Sequence, residues 1–108
     1  MNINKSQFDK YLNLRLNSIK SSLQNKSDEY STENSMYNFV KAAEIDDNLP
    51  EEELHSMMMK HFVTYLKELK GLKDDKIPSI DKIRERFGDI INYFIMQEMM
   101  FLKRAKYE

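Results

Sequence analysis

Only two glycines and two prolines punctuate the 108 residues: Gly71, Gly88, Pro50 and Pro78. Sheet-rich folds need turn residues every 8–12 positions or so, so a chain this poor in them is predicted to be almost entirely helical. The apolar pattern agrees. Phe8, Leu12, Leu16, Ile19 and Leu23 recur at steps of three or four, which lines one face of a first helix that Asn4 or Ser6 can cap. That pattern fades in the polar stretch QNKSDEYSTEN, where Ser31 or Thr32 can start a short second helix with Met36, Phe39, Val40 and Ala43 inward. In IDDNLPEEEL, Pro50 suits a first helical turn and Glu51, Glu52 and Glu53 stand where the helix dipole favours negative charge. The third helix so begun carries Leu54, Met58, Phe62, Tyr65, Leu66 and Leu69 inward and is predicted to stop at Gly71 as a left-handed cap. LKDDKIP reads as a loop. Pro78 and Ser79 open a fourth helix whose main stripe is Ile80, Ile83, Phe87, Ile90, Ile91, Phe94 and Phe101. The expected fold is a compact all-α bundle of about four helices, one domain over 1–108, with 1–5 and 104–108 frayed.

A composition of 41% hydrophobic and 32% charged residues fits a folded soluble domain. No apolar run approaches the roughly 20 residues that span a bilayer, and MNINKSQFDK lacks a signal-peptide core, so no membrane association and a cytoplasmic address are expected. Cysteine is absent, which removes disulfides, thiolate metal sites and thiol nucleophiles. Seventeen basic against eighteen acidic residues give a net charge of −1. No global surplus holds a phosphate backbone, and generic nucleic-acid binding is not expected. The basic runs in LKELKGLKDDK and FLKRAKYE read as solvated helix ends.

Few residues carry recognisable chemistry. His55 and His61 lie about 240° apart around a helix and cannot share a zinc ion from it. His55 follows Glu51 by one turn, a local surface pairing. His61 adjoins Phe62, and structural and ligand-contacting roles both stay open for it. The eight methionines serve either as core filler or as an adaptable surface. Neither a catalytic triad nor a glycine-rich phosphate loop is present. Carboxylates remain. On the fourth helix Asp89 falls about 40° and Asn92 about −20° from Glu85, a shared face that Met96 and Met99 continue. Either that stripe is solvated, or it is aimed at a ligand, with Glu85 and Asp89 as half of a magnesium site that Asp28 or Glu29 would help complete. Toward its C-terminal half the fourth helix is apolar on nearly every side, and such a helix is central to a bundle or shared between subunits, so an oligomer, most simply a dimer, is expected.

QNKSDEYS, then Asn38 and Phe39, then Pro50, Met57, Met58 and Lys60, then ERFGDIINYFIM with Glu85, Asp89, Asn92 and Tyr93, resemble in order the elements of small phage proteins grouped as nucleotide modification associated domains. The resemblance implies an all-helical fold distantly similar to the MazG-like nucleoside triphosphate pyrophosphohydrolases, which use magnesium on helical carboxylates. The chain departs from that enzyme pattern at Arg86, where a glutamate is usual three residues before the aspartate, and in EEELH, which ends on His55. Two functions follow as expectations. In the first, Glu85, Asp89, Asn92 and Tyr93 wall an intersubunit pocket for a nucleotide or nucleotide-derived ligand, with Lys60 and His61 at its phosphates; any turnover would be magnesium-dependent pyrophosphate release. In the alternative, this is a phage-encoded helical interaction protein that inhibits or adapts a defence protein inside the bacterial host cell.

Overall fold

A computed structural model describes residues 1–29 and 36–107. Among the described residues every regular element is helical: α1 (Lys5–Glu29), α2 (Tyr37–Asp46), α3 (Pro50–Gly71), a 3-10 turn (Leu72–Asp74) and α4 (Ile80–Arg104). The chain divides into two units, Met1–Ser35 and Met36–Glu108. No described helix is long and apolar enough to cross a membrane.

The first unit is α1. Asn4 caps it through a reciprocal box: its side-chain oxygen accepts from the Gln7 N–H at 2.8 Å, and Gln7 Oε1 accepts from the Asn4 N–H at 3.1 Å. Two otherwise orphaned donors are satisfied together. The expected start at Ser31 or Thr32 lies outside the described residues.

In the second unit α2 opens at Tyr37, half-buries Phe39 and Val40 and buries Ala43. It ends on Asp47 in the left-handed conformation (φ 55°), and the Asn48 N–H reaches back to the Ala43 carbonyl at 2.9 Å. Pro50 then opens α3, and the Glu52 carboxylate accepts from the Leu49 N–H at 2.9 Å. The far end of α3 corrects the expectation. Gly71 keeps right-handed helical geometry (φ −61°) and the chain tightens into the 3-10 turn. The left-handed residue is Asp75 (φ 55°), bracketed by bonds from the Asp75 N–H to the Leu72 carbonyl and from the Lys76 N–H to the Gly71 carbonyl. Aspartate tolerates this conformation because its short polar side chain bonds locally. Ser79 caps α4, accepting from the Lys82 N–H at 3.2 Å. After Arg104 the same kind of closure recurs, with Lys106 left-handed (φ 59°) and the Tyr107 N–H on the Leu102 carbonyl.

α3 and α4 run antiparallel as a hairpin. Glu51 binds Arg104 at one end and Glu68 binds Arg86 at the other, so 17 residues forward along α3 match 18 residues back along α4. This register sets Leu54 level with Met100 and Met58 level with Met96, and all four are buried. Ala43 and Ile90 complete the buried hydrophobic set among the described residues, a thin core with methionine as its commonest member.

The expected inward stripe of α4 is corrected as well. Ile90 is buried and Ile83 and Ile91 are half-buried, but Ile80, Phe87, Phe94 and Phe101 are 75%, 42%, 53% and 60% exposed. On α3, Leu66 and Leu69 are each 48% exposed. The line turned inside instead is Gly88, Asn92, Met96 and Met100. Because α4 is apolar on nearly every side toward its C-terminal half, hydrophobicity alone does not choose its inner side there. Polar partners choose it: Arg86, Asp89, Gln97 and Arg104 all find groups on α3, which rotates the phenylalanines outward.

Candidate functional site

The polar seam between α3 and α4 gathers part of the expected site. Arg86 donates through Nε to Glu68 Oε1 at 3.2 Å, and its Nη1 lies 3.2 Å from His61 Nδ1. A guanidinium has no acceptor, so His61 Nδ1 accepts that bond and a neutral ring carries its proton on Nε2. Asp89 Oδ2 stands 3.6 Å from the same His61 nitrogen, beyond hydrogen-bond range. The Tyr93 ring lies 5.4 Å from that of His61.

Asp89, Tyr93 and His61 are therefore together, and Asn92 is buried on the neighbouring line of α4. Glu85, one turn before Asp89, and Lys60 are exposed. Asp28 and Glu29 belong to α1, and their side chains lie outside the described set. Among the described residues no group of three His, Cys, Asp or Glu side chains is placed to hold a metal ion. Magnesium favours oxygen-only donors. At this seam Asp89 is joined instead by an imidazole and a guanidinium, whose positive charge opposes a dication. Among the described residues the donors at this seam do not fit that metal.

No family model, curated protein or solved structure matches this chain.

Two features that the residue pattern did not single out dominate the geometry of the second unit. The first is the set of polar ties across the hairpin. Arg104 grips Glu51 with two nitrogens, and Gln97 Nε2 donates to the Glu51 carbonyl at 3.0 Å. The Arg104 hydrogen bond holds the Glu51 carboxyl below its usual range, burial opposing it only in part. Nearby Glu53 shifts the other way. The Asn48 amide, donating at 3.1 Å, draws it down, but a hydrogen bond with Asp46, burial, and the charges of Asp46 and Glu52 together raise it. These two ion pairs were findable: in an antiparallel hairpin centred near residue 77, Glu51 and Glu68 on α3 have Arg104 and Arg86 at the mirrored positions on α4.

The second feature is apolar. Phe62, Tyr65 and Phe87 form a chain of edge contacts, 5.6 Å and 5.7 Å between centroids, that carries one face continuously from α3 to α4. Beside it lies a groove of about 240 Å³ lined by Tyr65, Leu69, Leu72, Ile77, Ile83 and Phe87, with Glu68 at its edge. Such a space takes a ring, because an apolar cavity of about 150 Å³ already holds benzene.

Proposed function

We propose that this chain is a helical interaction module whose working surface is the apolar face shared by α3 and α4. The observation that carries this reading is the row Ile80, Phe87, Phe94 and Phe101, large apolar side chains exposed at seven-residue intervals along one helix. A row with that spacing is the pattern a helix uses to meet another helix. The seam supports the same reading, since Arg86 ties α4 to Glu68 and His61 on α3. The test compares wild type with Phe94→Glu at matched helicity and melting temperature. The expected outcome is a protein partner, this chain or another, retained by the first and lost by the second. Equal retention by both rejects the reading.

A second reading keeps its own observation: Arg86, His61 and Tyr93 place a guanidinium, an imidazole and a phenol ring within one seam. A nucleotide-derived ligand offers phosphate to the first two and a base to the third. The ordered resemblance to the phage nucleotide modification associated domains supports it too, as does the exposure of Lys60 and Glu85 nearby. A panel of nucleoside triphosphates, with and without magnesium, tests it by melting temperature and pyrophosphate release; no shift and no release removes it.

A further inference from the structure

Resting on the interaction-module reading, we infer that the occupant of this face is a second copy of the chain, its α4 laid antiparallel along α4 with the partner's Phe101 seated in the apolar groove.

Three observations lead there. The first is area. A fully exposed phenylalanine offers about 200 Å², so the exposures of Phe87, Phe94 and Phe101 leave roughly 300 Å² of ring surface per copy. Ile80, Leu66 and Leu69 raise the apolar patch to about 500 Å² per copy. Two such patches bury up to about 1,000 Å², the lower bound for a specific interface and the size of a weak, reversible dimer.

The second is charge. A two-fold axis between Phe87 and Phe94 sets Phe87 against the partner's Phe94, and Ile80 against the partner's Phe101. The same axis brings Arg84 level with the partner's Glu98 on the outer flank, and the reciprocal pair follows by symmetry. Ile91 then meets the partner's Ile91 at the axis. A parallel pairing aligns Arg84 with the partner's Ser79 and Glu98 with the partner's Tyr93, and forms no ion pair on that flank. The charges thus select the antiparallel arrangement.

The third is the groove. It lies beside the first turns of α4, with Ile77, Pro78 and Ile83 in its wall, at the level where the antiparallel register delivers the partner's Phe101. Its 240 Å³ accommodates that ring, so the contact is a knob entering a hole at each end of a symmetric interface.

The chain contains no cysteine, so single introduced thiols report without background. The full-length chain is expected to sediment as a dimer in the micromolar range and Phe94→Glu as a helical monomer. Phe101→Ala should raise the dissociation constant on the order of tenfold, the loss of one anchoring ring. On oxidation, Ile91→Cys should link to itself across the axis. Ile80→Cys mixed with Phe101→Cys should give the mixed dimer, and neither alone a homodimer. Homodimers of Ile80→Cys overturn the antiparallel register. A monomeric wild type overturns the inference, and the alkylation rate of Phe94→Cys then separates two failures. Fast labelling means an open face that takes a different partner, which leaves the module reading standing. Slow labelling means a face covered within the chain, and both fall.

Discussion

Two glutamates two residues apart, Glu51 and Glu53, respond to acid in opposite senses because their neighbours differ. Glu51 has Arg104; its folded pKa is depressed, so its contribution is present above the unfolded value near 4.5 and is lost as pH falls through the folded value. Glu53 has Asp46; its folded pKa is raised, so its contribution is complete below 4.5 and is lost as pH rises through the folded value. Glu53→Gln removes the repulsion while keeping an acceptor for Asn48. The variant is expected to melt higher than wild type at pH 7, with the gap closing below pH 4.5, as followed by circular dichroism. Arg86 gives a second residue-level expectation. Arg86 and Glu68 are only 21% and 22% exposed, so Arg86→Leu strands a half-buried carboxylate. A loss of about 1–2 kcal/mol in urea denaturation is expected, with most of it recovered by adding Glu68→Leu.

At the scale of elements, three helix starts were legible; the start of α2, which opens after Met36 with no side-chain cap, and the helix sides were not. Pro50, Ser79 and Asn4 mark starts because each satisfies or removes an orphan N–H by a purely local mechanism. The end of α3 was harder: Gly71 carries the usual signal, yet the left-handed turn falls at Asp75, where the returning chain lets Lys76 bond the Gly71 carbonyl. Glycine accepts that conformation without a Cβ penalty. Asp75→Gly is therefore expected to stabilise by about 0.5–1 kcal/mol, read from the denaturant midpoint at unchanged slope. The inner side of α4 was illegible for a different reason. Periodicity ranks faces by hydrophobicity, and on α4 the decision came from Arg86, Gln97 and Arg104 meeting α3, a tertiary match that no single helix encodes. Asp89, Tyr93 and His61 were anticipated as neighbours; Arg86 entered only as a departure from a pattern, Glu68 only as a charge in a solvated run and Arg104 only as part of a frayed end.

For the whole molecule, the few buried hydrophobic residues of the second unit make each one consequential. Leu54 is the only large side chain fully enclosed among the described residues. Leu54→Ala is expected to cost about 2–5 kcal/mol, a large share of the stability of so small a domain, and calorimetry should find the variant unfolded or nearly so at 37 °C. Replacements along the outer row of α4 act differently: they leave this core intact and change what the face can hold.

One feature of the second unit reaches beyond its native contacts. α2 packs on α3, and α3 packs on its own 3-10 turn and on α4, so within this unit each helix docks on its immediate successor. Only short connections must close for those surfaces to meet, and the transition state has little chain entropy to overcome. Stopped-flow refolding should show the helical signal returning in a single phase within milliseconds, at a rate that does not change with protein concentration, and pairing of two copies should follow as a separate, concentration-dependent phase.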